Sequence, residues 1–139
     1  MSRGQRKGDD ELRAANLRNE ARLWAAREQL YTTGLSRQQA AERVGVKPDQ
    51  ITSLLRDRDL VALDGPHGLR LPSWQFHPDA PRGRLGGIAR VAEAFPGRVL
   101  SLSSWMVAPH AALGGRTPRQ ALIDGEVDQV TAAASHHGA

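Results

Sequence analysis

A chain of 139 residues, 40% of them hydrophobic and with a formal charge of +4, has material for one domain or two very small ones, and its mild basic excess favours polyanionic partners. Aromatic residues make up only 4%, so the core must come from Leu, Val, Ile and Ala; the lack of cysteine excludes a disulfide framework, a thiolate zinc site and a cysteine nucleophile. No run of about twenty apolar residues occurs, and no apolar segment follows the basic start at Met1–Asp10, so neither a membrane span nor a secretory signal is expected and a reducing cytoplasm is the simplest location.

Residues 1–8 read as a disordered basic arm, with Arg3, Arg6 and Lys7 among Gly and Ser. Asp9, Asp10 and Glu11 then supply the acidic first turn that a helix dipole favours, and no Gly or Pro interrupts the chain up to Tyr31. Leu12, Ala15, Leu23, Ala26 and Leu30 recur at helical spacing, so one long amphipathic helix is predicted, stopping near Gly34. Ser36 with Gln39 forms a capping box that opens a short helix through Val44, and Gly45 breaks it. Pro48 sits at a first helical position and starts a second short helix to about Asp57. Leu60–Leu63 and Leu69–Leu71, joined by Asp64-Gly65-Pro66-His67-Gly68, suggest a small β-hairpin.

The prolines and glycines of Pro72–Gly87 change the texture of the chain. They place a linker at residues 77–83 between a unit at 9–76 and a second at 84–135, with a loose tail at 136–139. In the second unit, Leu85, Ile88, Ala92 and Phe95 mark one helix and Ser101–Val107 another. Thr117 caps a third, with Pro118 at its first position and Gln120 at its third, and Glu126–Ala134 forms the last. The fold class expected is mostly α, with a winged type of helix-turn-helix and a small β-hairpin, followed by a small helical unit.

The constellation Ala41, Gly45, Ile51 and Leu54 carries the first functional expectation. Two short helices crossing sharply need a small residue on the inner face of the first, a residue tolerant of positive φ at the turn, and aliphatic residues one turn apart on the second. In such a helix-turn-helix the second helix enters the major groove of DNA and its first turns reach base edges. Lys47, Asp49, Gln50, Ser53 and Arg56 are the exposed candidates there. Gln50 has the bidentate chemistry to read adenine, Arg56 and Lys47 suit guanine or phosphate, and Asp49 suits cytosine or the helix dipole. Arg37 and Arg43 on the first helix are candidate phosphate contacts. Lys47 departs from the Ser or Thr that would cap its helix better. The same four hydrophobic and glycine positions also suit any tight helical hairpin.

The segment Leu35 to about Phe76 resembles the helix-turn-helix of excisionase-like and MerR-like regulators, with Leu60-Val61-Ala62-Leu63 and Leu69-Arg70-Leu71-Pro72 in the place of the wing. The resemblance implies that Arg70 and His67 lie near phosphate, although His67 is equally an ordinary exposed turn residue. The run Ala112-Leu113-Gly114-Gly115-Arg116-Thr117-Pro118-Arg119-Gln120-Ala121-Leu122, followed by Gly125, Glu126, Asp128 and Val130 and preceded by Trp105 and Pro109, resembles the C-terminal domain of Xre/MbcA/ParS antitoxins over about residues 84–135. That family implies an antitoxin of a type II system that blocks a RES-type, NAD-consuming toxin and binds its own promoter. Leu113, Gly114, Gly115, Arg116, Thr117, Glu126 and Asp128 would then be toxin-binding. Arg116 has two readings, a brace for its turn or a toxin contact, and Glu126 and Asp128 also suit a solvated helix face. The long first helix and excisionase-like unit depart from the phage-repressor-like N-terminus of many members.

No catalytic, metal or cofactor site is expected, so the chain reads as a non-enzyme. His110, His136 and His137 lack metal-cluster spacing, Ser103 and Ser104 lack a partnering His and Asp, and Gly83–Gly87 leads into no phosphate-loop lysine. The expected partners are double-stranded DNA, a RES-domain toxin and a second copy in a homodimer, with a free-standing DNA-binding regulator or excisionase-like factor, its C-terminal domain dimerising, as the alternative.

Overall fold

The computed structural model describes residues 3–137. It is mostly helical, with one two-stranded antiparallel hairpin. Helix α1 (Arg3–Thr33) runs for 31 residues, about 46 Å at 1.5 Å per residue. It starts within the segment expected to be a disordered arm. The single glycines Gly4 and Gly8 cost about 1 kcal/mol each but do not stop a helix whose neighbours Gln5, Arg6 and Lys7 are good helix formers. Residues 1 and 2 of the expected arm, and 138 and 139 of the expected tail, lie outside the described residues. At its C-terminal end Gly34 closes the last turn of α1 on the Leu30 carbonyl (2.8 Å), where a Cβ would lie 2.5 Å from that oxygen.

Helix α2 (Arg37–Val44) opens on the expected capping box: Ser36 Oγ accepts from Gln39 N–H and Gln39 Oε1 accepts from Ser36 N–H. Gly45 ends it in the left-handed conformation at φ 73°, as the tight turn into α3 (Pro48–Arg56) requires. Ala40, Ala41 and Ile51 are buried where α2 and α3 meet, while Leu54 is only half-buried.

Strands β1 (Leu63–Gly65) and β2 (Gly68–Arg70) pair around Pro66-His67, closer to the turn than the apolar runs suggested. Leu71 continues past β2 to bridge Leu35, each N–H donating to the other's carbonyl at 2.7–2.8 Å. The chain entering α2 is thereby stitched to the chain leaving the hairpin. Leu60–Ala62, expected as strand, is instead pinned by a side chain. Gln75, fully buried in a 3-10 turn (Ser73–Gln75), accepts from Val61 N–H at 2.6 Å and donates to Val61 and Pro72 carbonyls at 2.8 and 3.1 Å. An amide side chain there does the work of a strand partner.

Residues 77–83 form a tied loop where a linker was expected. Phe76 bridges Arg84, His77 N–H donates to the Gly83 carbonyl, and Leu85 N–H donates to the Gln75 carbonyl (2.8 Å). Beyond it come α4 (Ile88–Ala94), α5 (Val99–Met106), a 3-10 turn (Ala111–Leu113), α6 (Pro118–Ile123) and α7 (Val127–Ser135), with α4 and α6 against α7. The two expected units share one continuous apolar core, from Leu35, Ile51 and Leu60 through Trp74 and Phe76 to Val91, Leu122 and Val130. Polar bonds join them as well: Trp74 Nε1 donates to Ser103 Oγ at 2.9 Å, and Arg119 donates to the Trp74 and Phe76 carbonyls, both at 2.9 Å. The proline-rich texture marks a surface bend, since the residues flanking it are buried on the same core.

Candidate functional site

The α2–α3 unit turns its polar residues outward. Lys47, Asp49, Gln50 and Arg56 are exposed and Ser53 is half-buried, while Ile51 on the opposite side of α3 is wholly buried. Thr52, not singled out by the sequence, is exposed on the same helix. Along the outer face Ser53 Oγ donates to the Asp49 carbonyl (3.3 Å) and accepts from Arg56 Nη2 (3.1 Å), which orients the guanidinium along the helix.

Gln50 is differently employed from the expectation. Its Oε1 accepts from Lys47 N–H at 2.9 Å, so it supplies the return half of a capping box for α3. Lysine has no acceptor for the forward half. Bidentate reading of adenine needs both ends of the amide, so in this arrangement only the Gln50 NH2 is available to a base edge. Arg70, expected at phosphate, is half-buried and folds its Nη1 onto the Leu69 carbonyl (2.8 Å). His67 is exposed at the hairpin tip, and Tyr31 Oη donates to the Asp64 carbonyl at 2.5 Å, fixing the hairpin against α1.

The loop at 77–83 adds residues that the sequence assigned to a linker. Gly83 sits in van der Waals reach of Arg43 and Val44 of α2. Between this loop and α3 runs an open cleft of about 750 Å³, lined by Arg43, Arg82 and Arg84, by Glu42 and Asp57, and by Gln50, Ser53 and Leu54. Among the described residues, Arg43, Arg82 and Arg84 are in no salt bridge. Three guanidinium groups beside the outer face of α3 make a surface suited to anionic backbone groups. No local motif distinguishes Arg82 and Arg84 from other surface arginines; only their position beside α3 does.

The Gly-Gly-Arg-Thr-Pro segment forms a closed structural corner. Gly114 and Gly115 are both left-handed, at φ 67° and 83°. His110 N–H donates to the Arg116 carbonyl and Gly115 N–H to the His110 carbonyl. Arg116 takes the brace role: its Nε donates to the Leu113 carbonyl (3.0 Å), and its terminal nitrogens pair with Asp124 (3.1 Å) and with Glu126. The Glu126 hydrogen bond first, and Asp124 after it, raise the guanidinium above its ordinary pKa against the opposing effect of desolvation. Leu113 is buried in the core, which removes its side chain from any contact surface. Glu126, expected on the last helix, sits at the N-cap of α7. Asp128 is solvent-facing and pairs with Arg90 at 2.8 Å. Of the seven expected partner residues, Gly114, Gly115 and Asp128 are exposed, while Arg116, Thr117 and Glu126 are half-buried.

Thr117 caps α6 as expected, with Oγ1 accepting from Gln120 N–H at 3.0 Å. Thr117→Ala is expected to lower stability by about 1 kcal/mol; chemical denaturation measures it, and an unchanged midpoint would show the cap to be idle.

His110, His136 and His137 line one cleft of about 490 Å³ beside Trp105. His110 Nε2 lies 3.0 Å from the Trp105 carbonyl and His137 stacks on Phe95 with centroids 5.0 Å apart. Among the described residues no group of His, Asp and Glu is arranged to hold a metal ion, and no helix is long and apolar enough to cross a membrane. Comparison of the chain with protein-family models, curated proteins and solved structures finds no match.

Proposed function

We propose that this chain is a DNA-binding regulator of the antitoxin type. It docks α3 in the major groove of its own promoter, lays α2 and the 77–84 loop along the phosphates, and blocks a RES-type, NAD-consuming toxin with the surface around Gly114–Asp128. The observation that carries the DNA reading is the outward face of α3, where Lys47, Asp49, Gln50 and Arg56 are exposed on a helix held by the buried Ala41 and Ile51. The support for the toxin reading is the resemblance of the Leu113–Thr117 segment, with exposed Gly114, Gly115 and Asp128 beside it.

One experiment separates the two halves. The chain is mixed with its upstream promoter fragment and, separately, co-expressed with a RES-type toxin. The unsubstituted chain shifts the fragment and rescues growth. The double variant Gln50→Ala, Arg56→Ala is expected to bind the promoter about tenfold or more weakly, at roughly 1–3 kcal/mol per good base pairing, while still rescuing growth. Equal, sequence-blind binding by both chains would end the major-groove assignment. Failure of rescue would leave a free-standing regulator. That second reading has its own support: Leu113 is buried and the half-buried Arg116 and Glu126 pair with each other, so their pattern needs no partner to explain it.

A further inference from the structure

The cleft between α3 and the 77–84 loop carries groups that a phosphate surface does not need. Arg43, Arg82 and Arg84 suit the backbone of DNA, but Glu42 and Asp57 line the same cleft and repel it. Among the described residues none of these side chains is in a salt bridge, although cations and carboxylates share one concavity. Asp57 is also the C-cap of α3, where the helix dipole disfavours a carboxylate. DNA phosphates account for the arginines and leave the acids unexplained.

Both walls of the cleft are held by main-chain bonds. His77 N–H donates to the Gly83 carbonyl at 3.1 Å, Gly83 N–H donates to the Ala80 carbonyl at 3.0 Å, and Phe76 bridges Arg84, so the loop that carries Arg82 and Arg84 is closed on itself. On the other wall Asp57 N–H donates to the Ser53 carbonyl at 3.0 Å. Val44, Val46 and Leu54 line the cleft and are half-buried, which gives it an apolar part, and Gln50 adds the NH2 that its capping bond leaves available. At about 750 Å³ the cleft has the size of a small-molecule site.

We propose that this cleft binds a nucleoside phosphate and that its occupancy displaces DNA. The guanidinium forks of Arg43, Arg82 and Arg84 take phosphate oxygens. The carboxylates of Glu42 and Asp57 accept from sugar hydroxyls, as acidic side chains do on a ribose. Val44, Val46 and Leu54 meet the face of the base. A ligand with all three parts employs every group, whereas an inorganic anion employs the arginines alone and is repelled by the acids. Arg43, Gln50 and Ser53 belong both to the cleft and to the α2–α3 surface assigned to DNA, so one occupant excludes the other. The displacement rests on the DNA-binding reading; the nucleotide site does not.

The first test uses the full chain without DNA. Calorimetric titration with ADP, GDP, CDP and UDP is expected to give at least one dissociation constant of about 100 µM or below. The matching nucleoside and inorganic pyrophosphate should each bind about tenfold more weakly or worse, because each lacks one half of the contacts. Arg82→Ala with Arg84→Ala is expected to weaken the nucleotide by about tenfold or more. Asp57→Asn separates the two roles of a carboxylate by sign: it should weaken the nucleotide severalfold and tighten pyrophosphate, since a lost hydroxyl acceptor hurts the first and a lost negative charge helps the second. In a second test, the nucleotide at about ten times its dissociation constant should weaken binding of the promoter duplex about tenfold, beyond the effect of a non-binding salt at equal ionic strength. Silence of all four nucleotides at about 1 mM, pyrophosphate bound as tightly as the nucleotide, or tighter nucleotide binding by Asp57→Asn would each overturn the site. A bound nucleotide that leaves DNA affinity unaltered would overturn the displacement alone. A chain that binds nucleotide but no promoter would overturn the DNA-binding reading and keep the site.

Discussion

Gln75→Leu is expected to destabilise the protein by about 3 kcal/mol. Leucine fills nearly the same volume, so the change leaves packing almost intact and isolates the hydrogen bonds. It removes the acceptor for Val61 N–H and the donor to the Val61 and Pro72 carbonyls. Unpaired backbone groups at partly buried sites cost about 1–3 kcal/mol each, against a total stability of roughly 5–15 kcal/mol for a domain. The melting temperature should fall by about 10 °C, and the Val61 amide should exchange faster by hydrogen–deuterium exchange. A fall of less than about 1 kcal/mol would mean that water takes the place of the amide. The bond from Leu85 N–H to the carbonyl of residue 75 joins main chain to main chain and is kept in this variant, so the loss falls on the Val61 and Pro72 groups.

The second large effect follows from the proposed DNA-binding role. Arg43→Ala, Arg82→Ala and Arg84→Ala combined are expected to flatten the dependence of log affinity on log salt by about 2–3, at about 0.9 for each phosphate no longer neutralised. Near 0.1 M salt that corresponds to binding weakened by about a few hundredfold. The ranking of DNA sequences should hardly change, because groups on phosphate position a protein without reading bases. The three arginines line one cleft beside α3 and have no carboxylate partner among the described residues, so neutralising them leaves no orphaned acid behind. Titration of a labelled duplex at several salt concentrations measures the slope. An unchanged slope would remove the 77–84 loop from the interface and confine binding to α3 and the hairpin. An altered sequence ranking would instead place one of these arginines at a base edge.

Local elements are largely legible from residue order. The capping box at Ser36 and Gln39, the break at Gly45, proline at the first position of α3 and the Thr117 cap all involve groups within a few residues of each other, so spacing reveals them. The buried positions Ala41 and Ile51 follow from the geometry of a tight helix pair. Legibility fails where one side chain can serve two purposes or its partner is distant in sequence. Gln50 has the chemistry of a base reader, yet its amide takes the capping role that Lys47 cannot perform. Arg116 suits a brace or a partner surface equally well in one dimension; Asp124 and Glu126 folded around it make it a brace. Leu113 reads as available beside two glycines, but its side chain lies in the core.

The order of residues alone settled the helix punctuation, the hairpin turn and the mostly helical character of the chain, since these depend on backbone preferences and neighbours within about four positions. Three-dimensional packing settled the rest. It joined two expected units into one core, turned a linker into a tied loop that brings Arg82 and Arg84 beside α3, and left the outer part of α1 without a cover. The reason is that burial and charge pairing act between surfaces that meet only after the chain has folded. A proline-rich bend reads the same in one dimension whether its flanks drift apart or close on a shared core.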